Sequence, residues 1–120
     1  DCSAAGATIS GVAGITLSEL GFDVRNDGHC GAGAPRFDVF TTDGVDHFFG
    51  CIYGTHTPVA PGWTRVRFTP ADGIPAVAPT ETVQSIEIVF DEGTDQGQGF
   101  VYLDNVDVNG TLAGKPGLAQ

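Results

Sequence analysis

The chain has 120 residues, 15 of them acidic against 5 basic, for a formal net charge of -10, and 41% of it is hydrophobic. That is the length of one domain with enough apolar residues for a core of its own. The charge argues against nucleic acid and anionic membranes as partners, because phosphate binding draws its free energy from clustered Lys and Arg, whereas Lys115 is the sole lysine and the arginines form no run. No stretch approaches the roughly 20 apolar residues of a membrane span. No charged-then-apolar segment opens the chain, so an export signal is expected to have been removed or never included.

Helical periodicity is almost absent. Period-two alternation recurs instead in short β-rich runs broken by Gly, Pro, Asn and Asp. The first runs are "ATISGV" (7–12) and "ITLSELGFDVRN" (15–26). In the second, the apolar set moves from Ile15 and Leu17 to Leu20, Phe22 and Val24, a parity slip that predicts a bulge near Gly21. "RFDVFTT" (36–42) and "DHFFGCIYG" (46–54) follow, and between them Asp43-Gly44 is the strongest hairpin signal, since that pair tolerates positive φ. In "WTRVRFT" (63–69), Arg65 and Arg67 share a strand face near Trp63, and Val66 and Phe68 take the other. Residues 69–82 are too proline-rich for a strand and fit a long connection crossing between sheets. "TVQSIEIVFDE" (82–92) then places Ile86, Ile88 and Phe90 on one face. The last run, "FVYLDNVDVNG" (100–110), holds Asp104, Asn105 and Asp107, residue types depleted in strands. The pattern predicts an all-β fold, a two-sheet antiparallel β-sandwich of jelly-roll type with about seven to eight strands. The single domain is expected over 1–112, with a flexible tail or linker start over 113–120.

The cysteines are Cys2, Cys30 and Cys51. Cys30 and Cys51 flank a strand-turn-strand unit, so a disulfide between them is expected, which favours an oxidising compartment. The alternative is buried free thiols in a cytosolic protein. Cys2 is left over near a terminus, a candidate for pairing between chains. Cys30, Cys51, His29 and His47 match no zinc-ligand spacing.

The candidate chemistry is sparse. The three histidines lie in turn-like surroundings, no Gly-x-Ser-x-Gly is present, and Asp46 beside His47 points to the opposite strand face. Catalysis is therefore not expected. "GHCGAG" (28–33) precedes a strand rather than a helix, so its glycines do not make a phosphate loop. The acidic turn "DEGTDQGQG" (91–99) places Asp91, Glu92 and Asp95 where a bendable loop offers oxygen ligands to Ca2+, or where a solvated hairpin needs glycine. Tyr53, Trp63 and Tyr102 are the rings able to stack on the apolar face of a sugar, with Arg65 and Arg67 as donors to its hydroxyls. A lone Trp opening a strand also serves as a core anchor, and both uses stay open for Trp63. "NGT" (109–111) is a glycosylation acceptor pattern in an expected turn.

Taken together, "APGWTRVRF" (60–68), "VQSIEIVFDEG" (83–93) and "VYLDNVDVNG" (101–110) resemble the second half of a carbohydrate-binding-module-type jelly roll. The upstream "GHCGAGAPRFDVFTTDG" is similar to secreted extracellular domains of bacteria, especially actinobacteria, that share this ending. The resemblance implies that Asp104 contributes to a structural calcium or hydrogen-bonds neighbouring backbone. The second acid of such a site usually comes from the first strand; residues 2–18 contain none, so Asp1 or Asp23 would have to substitute.

Two functions follow as expectations. The first is a noncatalytic extracellular binding module for a polysaccharide or glycan. The second is a structural subunit of a surface polymer or filament, in which "DCSAAGATISGVAG" adds as a strand to a neighbouring copy and Cys2 cross-links the contact.

Overall fold

The computed structural model describes residues 4–91 and 102–113, the side chains of residues 4, 5 and 91 excepted. Among them the chain forms nine strands: β1 (Ala4–Ile9), β2 (Leu20–Arg25), β3 (Arg36–Thr41), β4 (Asp46–Gly50), β5 (Thr55–Ala60), β6 (Trp63–Phe68), β7 (Val83–Asp91), β8 (Leu103–Val108) and β9 (Thr111–Leu112). They pair antiparallel in two sheets, ordered β1-β7-β3-β4 and β5-β6-β2-β8-β9. The expected all-β sandwich is what forms. Its course alternates between sheets from β1 to β3 and from β6 to β8, and hairpins β3–β4 and β5–β6 each stay within one sheet.

The core follows from alternation. Leu20, Phe22 and Val24 of β2 and Val66 and Phe68 of β6 are buried from one sheet, and Phe37, Val39, Phe49 and Ile86 from the other. Four phenylalanines meet at the centre. Phe22 stacks on Phe37 at 5.3 Å between ring centroids, and Phe68 packs edge-on against Phe22, Phe37 and Phe49 at 5.7–6.0 Å. Each such aromatic pair adds roughly 0.5–1.5 kcal/mol beyond its area.

Several elements differ from expectation. The second run is strand only over Leu20–Arg25; Ile15 and Leu17 belong to the connection from β1, with Leu17 buried as a plug. The irregularity near Gly21 exists, but the extra residue is on the partner strand. Gly21 pairs with Asp107 and Asp23 with Asp104, so three steps of β8 oppose two of β2. Asn105 absorbs the difference with φ +49°, a conformation Asn tolerates better than most residues. The Thr55–Ala60 strand carries no apolar alternation, every residue is exposed, and Pro58 confines it to an edge. Of the segment considered for addition to a neighbour, Ala4–Ile9 pairs with β7 of its own chain and forms a sheet edge. Cys2 and residues 114–120 lie outside the described residues.

The expected hairpin turn, crossing segment and disulfide are present. Gly44 turns the β3–β4 hairpin at φ +87°, and the 69–82 segment crosses between sheets, carrying a 3-10 turn, Pro70–Asp72. Cys30 and Cys51 form a disulfide across a sequence separation of 21. Beside it, a Cβ on Gly50 would overlap the carbonyl oxygen of Ala32, so the chain passes over the end of β4 where only glycine fits.

The β8–β9 turn is Asn109-Gly110, both at positive φ. Asn109 Oδ1 accepts from the Ser18 amide (2.7 Å), the Ser18 hydroxyl (3.0 Å) and the Glu19 amide (3.1 Å), while Nδ2 donates to the Thr16 carbonyl (2.9 Å). This one side chain ties the β1–β2 connection to the far sheet edge.

Asn109→Ala is expected to lower stability by roughly 1–2 kcal/mol, since it removes the hydrogen bonds that hold Ser18 and Glu19 and loses the positive-φ preference. Reducing the disulfide should cost about 3 kcal/mol by the loop-entropy relation. Urea midpoints measured on the variant, and on wild type with and without reductant, check both. A shift under about 0.5 kcal/mol, the usual range of surface changes, would contradict either assignment.

Candidate functional site

The outward residues of the five-stranded sheet form three rungs across β6, β2 and β8. Because Val24, Phe22 and Leu20 face the core, Arg25, Asp23 and Gly21 must face out. Their register partners on β6 are Trp63, Arg65 and Arg67. The sequence-predicted trio Trp63, Arg65 and Arg67 is thus on one face, about 13 Å long at the usual rise per residue. Trp63 is half-buried and is not part of the core cluster, so it is not the core anchor.

The first rung runs Trp63–Arg25–Tyr102. The Arg25 amide donates to the Tyr102 carbonyl at 3.1 Å, and its guanidinium carbon sits 3.8 Å above the Tyr102 ring. Arg25 is also bidentate to Asp27 at 2.7 and 2.8 Å. Half of the Tyr102 surface is open to solvent.

The second rung is Arg65–Asp23–Asn105. Asp23, buried to 3% exposure, accepts two bonds from Arg65 at 2.9 and 3.0 Å and a third from Asn105 Nδ2 at 2.8 Å. Burial opposes ionisation of this carboxyl, but the Arg65 and Asn105 hydrogen bonds and the Arg65 charge outweigh it and hold Asp23 below the usual carboxylate range. The left-handed Asn105 of the β8 bulge is what turns its amide onto Asp23.

The third rung is Arg67–Gly21–Asp107. Arg67 lies flat across Gly21, where an added Cβ would come within 2.4 Å of Arg67 Nη1 and 2.7 Å of the Val66 carbonyl oxygen. Its Nε stands 3.6 Å from Glu19 Oε2 and 3.9 Å from Asp107 Oδ2. Neither oxygen of Asp107 finds a protein hydrogen-bond partner among the described residues, nor does Arg67 Nη1. Burial, reinforced by the adjacent Glu19 and only partly offset by Arg67, pushes the Asp107 carboxyl up to about 6.

Tyr53 is on the 3-10 turn Cys51–Tyr53 that leads into β5, 48% exposed. Since Thr55 pairs with Arg67, it lies at the end of the ladder opposite Tyr102. Of the expected calcium ligands, Asp91 ends β7 with its side chain undescribed, and Glu92 and Asp95 fall outside the described residues. Asp104 is exposed and its Oδ1 accepts from the Asn105 amide at 2.8 Å. Its register partner Asp23 already accepts three hydrogen bonds, from Arg65 and Asn105. Cys30, Cys51 and His56 come together, but the two sulfurs are bonded to each other and His56 Nε2 meets the Cys51 carbonyl at 2.9 Å.

No family model, curated protein or solved structure matches the chain. What the face does must therefore be argued from its own geometry. Sequence inspection missed Glu19, Gly21, Asp23, Arg25, Asn105 and Asp107 as members of this face. The available signals were the strand-interior glycine and the strand-disfavoured residues of "LDNVDV".

Because Asp107 holds its proton more tightly folded than unfolded, its contribution is present below about pH 4 and lost as pH rises through about 6. Wild type is expected to lose roughly 2–3 kcal/mol over that window relative to Asp107→Asn, with the variant the more stable above it. Parallel pH dependences of urea stability in the two proteins would remove Asp107 as the source.

Proposed function

We propose that this chain is a noncatalytic extracellular binding module whose outer five-stranded face takes a neutral polysaccharide or glycan. The observation that carries this is the first rung, where Trp63 and Tyr102 flank Arg25 at one end of a polar ladder. Sugar rings present an apolar C–H face to aromatics and hydroxyls to fixed donors and acceptors, and the ladder offers both side by side. Its arginines each face a carboxylate, Asp27, Asp23, or Glu19 and Asp107. The face therefore supplies oriented N–H groups without surplus positive charge, which suits hydroxyls better than anions. Arg65 commits Nε and one Nη2 proton to Asp23, which leaves three N–H groups of its fork for a ligand. The disulfide is compatible with an oxidising, extracellular setting, and no helix among the described residues is long and apolar enough to cross a membrane.

Retention on a panel of insoluble polysaccharides and soluble glycans, followed by affinity electrophoresis, tests this. Trp63→Ala and Tyr102→Ala are each expected to weaken binding at least about tenfold, equivalent to roughly 1.4 kcal/mol, while circular dichroism and melting stay near wild type. A well-folded pair of variants that binds like wild type would move the ligand off this face.

A further inference from the structure

We infer that His47, Asp43 and Glu81, on the other sheet, form a binding site for a divalent first-row transition metal of the zinc class. Asp43 and His47 belong to one hairpin and Glu81 to a segment well beyond it in sequence, yet one imidazole nitrogen and one oxygen from each carboxylate lie within 4.8 Å of one another. His47 comes from β4 and is 1% exposed, Asp43 sits in the β3–β4 hairpin turn and is exposed, and Glu81 ends the crossing segment at intermediate exposure. The site is thus a fixed buried nitrogen facing two carboxylates at the surface.

Proton counting points to a cation. His47 Nδ1 is 2.6 Å from the Pro75 carbonyl oxygen, which can only accept, so Nδ1 carries the proton and Nε2 presents its lone pair inward. Nε2 faces Thr41 Oγ1 at 3.0 Å and Glu81 Oε2 at 3.8 Å. Thr41 Oγ1 has Asp43 Oδ1, His47 Nε2 and the Val45 carbonyl oxygen within reach and one proton to give, so it can satisfy only one of these acceptors. A cation among these atoms would meet the acceptors that this one proton leaves. The Pro75 bond is the outer-shell contact that metal-bound histidines use to fix tautomer and ring orientation. Glu81 is held in the same way, its Oε1 accepting from the Ala78 amide at 2.6 Å.

The geometry needs little adjustment. Two ligands of one tetrahedral ion at about 2.1 Å each stand about 3.4 Å apart, and His47 Nε2 and Glu81 Oε2 are already at 3.8 Å. Asp43 and Glu81, at accessible positions, can close the rest, on the order of 1 Å, while His47 stays packed. One imidazole with two carboxylates suits Zn2+ and its neighbours, whereas Ca2+ prefers an all-oxygen shell. Three protein ligands leave a fourth position toward solvent. A bound ion would also pin the β3–β4 turn to the segment that crosses between the sheets. The site is independent of the glycan-binding face and of the acids expected to hold calcium.

Chelator-treated protein titrated with Zn2+ alone in a calorimeter should show one site per chain, with a Co2+ titration giving the intense visible band of low-coordinate cobalt. Glu81→Gln and Asp43→Asn, both at accessible positions, should each weaken the affinity at least about tenfold. Millimolar Ca2+ should not displace the ion. Absence of saturable Zn2+ binding up to about 1 mM would overturn the proposal. Wild-type affinity in both folded carboxylate variants would overturn it equally, placing the metal elsewhere on the protein.

Discussion

The structure depends on the strict two-residue period of β2. Phe22 must reach Phe37 and Phe68 to close the sandwich, and Leu20 and Val24 share its face. That requirement turns Gly21, Asp23 and Arg25 outward. An acid at the middle of a central strand is then covered by neighbours on both sides and has to be neutralised. Arg65 and Asn105 do so from the two flanking strands, and the β8 bulge exists where Asn105 makes its contact. The aromatic core and the polar ladder are two faces of one alternation.

Much of the fold was legible because most strands bury one face. "RFDVFTT" and "TVQSIEIVFDE" read directly as β3 and β7, since Phe37, Val39 and Ile86 alternate with polar residues. β5 was invisible for the complementary reason: an edge strand exposed along its whole length has no apolar period to detect. Ile15 and Leu17 misled because a plug at the end of a sandwich needs burial without strand geometry. Trp63, Arg65 and Arg67 were legible as a set through their shared parity. Their partners Asp23 and Asp107 were not, because cross-strand register depends on a bulge that no local motif announces. The Asp43–His47–Glu81 cluster joins a hairpin to a proline-rich crossing, a contact that exists only once the sheets have packed.

Four buried or nearly buried carboxylates differ in their local supply of donors, which the net charge of -10 does not describe. Asp23 has three side-chain hydrogen bonds and stays ionised easily. Asp38 is met by Arg36 at 2.8 Å. Asp46 is raised by burial and by the nearby Asp38 charge, and one of its oxygens lacks a protein partner among the described residues. Asp107 is the extreme, with Arg67 too far for a close bond and Glu19 competing for the same guanidinium. The two outer faces thus differ internally: each carries one well-neutralised acid and one that is not.

The Asn109 tether gives the "NGT" pattern a meaning that the pattern alone lacks. A glycosyltransferase needs the Asn amide nitrogen presented on an open, extended chain, but here it donates to Thr16 once β8 and β9 have closed on the β1–β2 connection. Enzyme and fold therefore compete for one nitrogen. In a host that glycosylates during secretion, the fraction of chains carrying sugar at Asn109 would act as a clock, recording how long the C-terminal hairpin stays open before its docking partner, synthesised about 90 residues earlier, captures it.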